Sequence, residues 1–233
     1  MIGALFAAWA IHELGHWLVL RLLGLGGGVR NRWVLGVAME MDVSCQGWRE
    51  AVAAAAGPAA NILALAVFRL IGWEVGWQAN FVMAAVNLLP FLPLDGGKLL
   101  RGLLSGVMSW RRITAVLLIL GQGAALAMCL SVWYFGLQRP LLLLAVWLYL
   151  VARREQLAAP FVAEAALAAC VGQSLRPYRI VNVRRDMEVY QAVRLLSPGW
   201  HNILYCDGRL LDGDRPVRDL LDGRRRMRLE EYL

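Results

Sequence analysis

At 233 residues, 59% hydrophobic and only 18% charged, the chain is too apolar for an ordinary water-soluble domain, and most of it is expected in a bilayer. A formal net charge of +7 raises nucleic acid as a partner. The basic residues instead gather at the ends of apolar segments and in an Arg-rich tail, where anionic lipid headgroups are nearer, so nucleic acid is not expected.

Charge divides the chain into two parts. Lys and Arg number 10 over residues 1–152 and 14 over residues 153–233, against 6 and 11 acidic residues. A membrane core over 1–152 is therefore followed by a water-facing part, read as a connector helix over 153–174 and a small domain over 175–233. Cys45, Cys129, Cys170 and Cys206 are widely spaced, form no C-x-x-C pair and read as free thiols.

The first apolar segment runs from Ile2 to Leu23 and contains His12-Glu13-Leu14-Gly15-His16. It lacks the basic start and small-residue cleavage site of a removable signal peptide. On a helix, His12 and His16 lie one turn apart on one face and can grip the same metal, with Glu13 beside it. Ionisable groups are costly in lipid, so these three read as functional.

After Gly24 and Gly26 to Gly28, residues 33–44 alternate apolar and polar in a strand pattern. This is either a surface hairpin or an edge strand that holds an unwound substrate segment by strand addition. Further apolar segments follow at Ala51 to Ile71, Trp77 to Leu94, Ile113 to Phe135 and Leu141 to Val151, making about five spans. Arg21, Arg30, Arg32, Arg49, Lys98, Arg101, Arg111, Arg112, Arg153 and Arg154 flank the odd-numbered connections and the end of the fifth span. The positive-inside rule thus sets the C-terminal domain in the cytoplasm and the N-terminus outside.

Arg153 to Cys170 reads as an Ala-rich helix interrupted at Pro160. Beyond it the expected order is a strand at Arg179 to Val183, a helix at Val189 to Leu196, a strand at Asn202 to Cys206, a turn at Asp207-Gly208 and a helix at Val217 to Leu221. A unit of about 60 residues is near the lower limit for a core of its own, so a partner copy is a natural support. His201, after Pro198-Gly199, reads as an ordinary loop residue.

Two histidines leave zinc short of its usual three protein ligands. Apart from Glu13, Asp95 is the one other acidic residue read within a span or at its immediate end. It stands in Asn87-Leu-Leu-Pro-Phe-Leu-Pro-Leu-Asp95-Gly96-Gly97, where prolines and glycines interrupt the helix and can aim a carboxylate at a metal held by another helix.

The H-E-L-G-H motif, the N-L-L-P-F-L-P-L-D-G-G motif and Gly57-Pro58-Ala59-Ala60-Asn61 between them resemble the site-2 protease family of intramembrane zinc metalloproteases, over about residues 2 to 110. The resemblance implies one zinc per chain on His12, His16 and Asp95, with Glu13 as general base. It also implies Asn87 as a partner of the substrate backbone or the developing oxyanion. For Gly57, Pro58 and Asn61, close helix packing with a polar cross-link stands beside a catalytic role. The C-terminal pattern resembles a single cystathionine-β-synthase (CBS) motif. Membrane core and CBS-like domain together are similar to the sporulation branch, the proteases that process pro-sigma-K. That likeness implies ATP at the CBS-like domain, with oligomerisation or substrate docking as the alternative.

The fold class expected is thus a polytopic α-helical membrane protein with a small C-terminal α/β CBS-like domain. Its implied partners are a membrane-associated protein substrate, the lipid bilayer, inhibitory membrane proteins and a second copy through the CBS-like domain. With 11 residues before His12, the extra leading span of six-span relatives is expected to be missing. A metal transporter would need polar residues along several spans, and the fourth and fifth offer Gln122, Ser131 and few others. An inactive scaffold would not need Glu13.

Overall fold

The structure, a computed structural model, describes residues 2–24, 47–135, 139–171, 178–225 and 227–232. The alternating stretch at 33–44 lies outside the described residues. The membrane core contains α1 (Ile2–Leu22), α2 (Trp48–Leu70), α3 (Glu74–Asn87), α4 (Asp95–Leu104), α5 (Trp110–Phe135) and the first part of α6 (Arg139–Cys170). Helix α2 packs against α1, α3 and α4, while α5 pairs with α6.

Helices α1 and α2 are apolar outside and mainly small or polar inside. On α1 the buried positions recur at every fourth residue, Ala4, Ala8 and His12, while Ile2, Phe6, Leu18 and Leu22 are exposed. Lipid rather than water suits such a surface, because helices in a bilayer associate through small residues and hydrogen bonds rather than by burying large apolar side chains. Gly15 shows how close the contact is: a Cβ there would lie 2.6 Å from the Ala56 carbonyl oxygen of α2.

Of the described helices, α1, α2 and α5 are long and apolar enough to cross a membrane. The segment expected as one span from Trp77 to Leu94 ends its helix at Asn87, and the 14 residues of α3 reach only about 21 Å of a hydrocarbon core about 30 Å thick. Leu141 to Val151 is not a separate short span. It continues through Pro160 into the expected connector as the single 32-residue helix α6.

Residues 88–94 form the turn that delivers α4. Leu92 is fully buried against Ile113, Leu117 and Leu118 of α5 and Ala152 of α6, and its backbone N donates to Leu117 O at 3.3 Å. Asp95 then opens α4, where a carboxylate complements the positive end of the helix dipole.

The C-terminal unit is a three-stranded sheet in the order β1 (Tyr178–Asn182), β2 (His201–Cys206), β3 (Arg209–Asp212). Strands β1 and β2 are parallel and joined through α7 (Val189–Val193); β2 and β3 form an antiparallel hairpin. The hairpin turns on Asp207 and Gly208, both with positive φ, as a two-residue primed turn requires. Strand β3 had no sequence signal beyond that turn. His201 opens β2 rather than lying in a loop.

Val181, Val189, Val193, Leu196, Leu204 and Val217 of the unit's core, the last on α8 (Asp214–Leu221), are joined by Leu167 of α6. The same helix that flanks the membrane core thus completes the core of the small unit. A seam ties the unit to the turn after α4: Trp200 Nε1 donates to Ser105 Oγ at 3.0 Å, Arg179 Nε to Gly106 O at 3.2 Å, and Trp110 N to Ser197 Oγ at 3.2 Å.

Candidate metal centre

Helix α1 offers His12 and His16 to α2 and α4. The Asn61 amide on α2 donates through Nδ2 to Ala8 O and to Asn80 Oδ1, both at 2.8 Å, so its Oδ1 faces His12. His12 Nδ1 therefore carries the proton and donates to that oxygen at 2.6 Å. His16 Nδ1 faces the Ala53 carbonyl at 2.7 Å, an acceptor, and so is protonated too. In the neutral rings both Nε2 atoms then present lone pairs.

Those lone pairs converge on a carboxylate. His12 Nε2 and His16 Nε2 are 3.1 Å apart, and Asp95 Oδ2 lies 2.8 Å from the first and 3.1 Å from the second. Lys98 Nζ donates to the other oxygen, Asp95 Oδ1, at 2.9 Å, and so turns Oδ2 toward the histidines. His12 and Asp95 are 4% and 5% exposed, leaving little room for water to relieve the crowding.

Three electron-pair donors facing one another repel unless a cation lies among them. Imidazole nitrogen and carboxylate oxygen are ligands zinc accepts, and tetrahedral ligation at about 2.0–2.2 Å separates ligand atoms by about 3.3–3.6 Å, so a small outward shift of the 2.8–3.1 Å triangle would seat the ion. Gly57 of α2 keeps this space clear, since a Cβ there would lie 2.7 Å from His12 Nε2. The residues fit the metal that the sequence implies.

Glu13 is half-buried beside this triangle, within electrostatic reach of His12, His16 and Asp95. Asn87 ends α3, and its Nδ2 donates to Met83 O at 3.0 Å within its own helix; it is not hydrogen-bonded to the triangle. A second group, His201 with Asp212 and Asp214, lies in the C-terminal unit and is more open to solvent.

Sequence reasoning missed several groups. Asn80 is fully buried and orients Asn61, and its signal was an amide within an apolar segment that also holds Gln78 and Asn87. Lys98 was read only as a flanking charge, although it stands three residues after Asp95 on one helix face. Glu50 also corrects the reading of Asp95 as the one other acidic group at a span: it lies in the first turn of α2, 2% exposed, paired with Arg101.

Partners that hold a ligating histidine through its second nitrogen are worth about 10–100-fold in metal affinity. Asn61→Ala is therefore expected to weaken zinc binding by about that factor, measured on the full chain in detergent by competition with a chelator. Unchanged affinity would reduce Asn61 to helix packing.

A bundle with three membrane-length helices among the described residues, which sets an H-E-x-x-H helix against an Asp from a broken segment, has the donor set of a metalloprotease centre. No protein-family model matches the chain. Over 112 residues, 42% of the chain and 30% of the relative, it is 31% identical to a protein of Synechocystis sp. assigned as a zinc metalloprotease. It is 28% identical over 171 residues, 65% of the chain and 48% of the relative, to a zinc metalloprotease of Methanocaldococcus jannaschii. The chain thus spans less than half the length of these curated relatives. Among solved structures it resembles the site-2 protease from Methanocaldococcus jannaschii, with a TM-score of 0.56 and 26% identity over 66% of this chain and 76% of that one. The chain is thus similar to zinc metalloproteases in sequence and to a site-2 protease in fold.

Proposed function

We propose that the protein is an intramembrane zinc metalloprotease that hydrolyses a peptide bond within or next to a membrane-associated segment of its substrate. The observation that carries this reading is the convergence of His12 Nε2 and His16 Nε2, on a helix able to cross a membrane, with Asp95 Oδ2 of α4, and with Glu13 adjacent.

In this mechanism His12, His16 and Asp95 hold the metal. When bound, zinc lowers the pKa of its water and polarises the scissile carbonyl. Glu13 takes the proton of the attacking water and gives it to the leaving amine. Asn61 and the Ala53 carbonyl fix the two imidazole rings, and Lys98 fixes the carboxylate. Asn87, at the end of α3, is assigned to the substrate backbone; that role rests on its place in the N-L-L-P motif.

The flanking arginines support an orientation with the C-terminal unit in the cytoplasm. The β-α-β-β-α order of that unit is what supports a CBS-like reading, with ATP as the ligand. A pro-sigma factor as substrate rests on the sequence motifs alone, and the proposed chemistry does not depend on it.

Metal removal tests the proposal. Full-length protein in detergent is expected to cleave a tagged single-span test substrate, to stop after treatment with 1,10-phenanthroline, and to recover on addition of zinc. Cleavage that persists in metal-free protein would overturn it.

A further inference from the structure

A hydrogen-bonded chain of three buried side chains crosses from α3 through α2 to α1. Asn80 and Asn61 are fully buried and His12 nearly so. Buried polar groups are costly unless each is bonded, so the direction of every link is fixed by what its members can donate or accept.

The chain starts at a backbone carbonyl. Gly76 O can only accept, so Asn80 turns its Nδ2 toward it, at 2.9 Å. Asn80 Oδ1 is then the end that faces α2. It accepts from Asn61 Nδ2 at 2.8 Å, and the same nitrogen donates to Ala8 O at 2.8 Å. With both hydrogens of its amide used, Asn61 offers His12 only Oδ1, at 2.6 Å from Nδ1. His12 must donate there, which leaves its Nε2 lone pair for the metal triangle.

A polar cross-link between packed helices would by itself account for a buried amide. The order of the bonds carries more. Each step points one way, from a carbonyl that cannot donate to a histidine nitrogen that must. Two acceptors, Asn80 Oδ1 and Ala8 O, hold the Asn61 amide, and loss of the first would leave one hydrogen buried and unpaired and the amide plane free to tilt away from His12. The packing allows this reach from α3, because Ala79 beside Asn80 meets Ala4 and Ala8 of α1, small residues that let the backbones approach.

We propose that Asn80 is a positioning residue of the metal centre, which through Asn61 holds His12 in the tautomer and orientation that direct Nε2 at zinc. The proposal rests on the metal-binding role given above to His12, His16 and Asp95. Helix α3 then serves both sides of the reaction: Asn80 holds a metal ligand, and Asn87, two turns further on, is the residue assigned to the substrate backbone.

The test is a double-mutant cycle read as zinc affinity, by chelator competition on the full chain in detergent. Asn80→Leu removes a group one step beyond the direct partner of His12, whose kind is worth about 10–100-fold, and is expected to weaken binding by about three- to tenfold. Asn61→Ala/Asn80→Leu should be no weaker than Asn61→Ala alone, because Asn80 acts only through Asn61. Asn80→Asp, of the same size and with an oxygen facing Asn61, should recover most of the loss. Asn80→Ala repeats the cycle with a smaller side chain, so the result does not depend on how a leucine packs. Zinc affinity unchanged in Asn80→Leu and Asn80→Ala, or losses that multiply in the double variants, would overturn the inference. Wild type that binds no zinc would overturn the proposed function itself, and this assignment with it.

Discussion

Glu13→Gln is expected to keep its zinc and lose cleavage of a membrane substrate by about 10²–10⁴-fold, the range contributed by a positioned general acid–base group. The substitution keeps the size of the side chain and removes the carboxylate that must accept a proton. Glu13 is not one of the three atoms of the triangle, so metal retention and activity should separate. Zinc per chain by atomic absorption and product on a gel read the two quantities independently. His16→Ala, by contrast, should lose both, because His16 Nε2 is one corner of the triangle. A Glu13→Gln variant that cleaves at the wild-type rate would remove Glu13 as the base, and with it the mechanism.

What the sequence discloses depends on whether a feature is local. His12 and His16 sit four residues apart on one helix, so their shared face follows from helix geometry alone. Asp95 was readable because the prolines and glycines around it mark a break, and that break is the turn over residues 88–94. The partner of His12 was less accessible. That Asn61 holds His12 Nδ1 depends on which faces α1 and α2 turn toward each other, a contact set by Gly15 and Gly57.

The bounds of two segments were misread for a related reason. Hydropathy runs straight through Leu88 to Leu94 because the turn itself is apolar, with Leu92 buried against α5. The apolar run therefore overstates the length of α3. Pro160 misled in the opposite direction: it removes one backbone donor, yet α6 stays continuous, packed against α5 on one side of it and joined to the C-terminal core through Leu167 on the other. Charges near span ends were read as markers of orientation, which concealed their pairing with one another.

That pairing leads to the second large effect. Arg101→Met is expected to destabilise the membrane core by about 3–5 kcal/mol, the usual cost of removing one partner of a buried ion pair. Arg101 Nε donates to Glu50 Oε1 at 2.8 Å, its Nη2 approaches the same oxygen, and its Nη1 lies 3.4 Å from Glu155 Oε1. The guanidinium also stacks 4.7 Å over the Trp110 ring. Glu50 Oε2 has no hydrogen-bond partner even with Arg101 present, so loss of the cation would leave a wholly uncompensated carboxylate in the first turn of α2. The consequence reaches the metal centre, because Arg101 lies on α4 two turns after Asp95 and ties that helix to α2 and α6. Thermal unfolding in detergent should therefore show a lower midpoint and weaker zinc retention together. Removing both charges in Glu50→Leu/Arg101→Met should restore most of the stability, since an apolar pair replaces a desolvated one. If Arg101→Met alone unfolds at the wild-type temperature, the pair carries no net stabilisation and α4 is held by its turn at Leu92 instead.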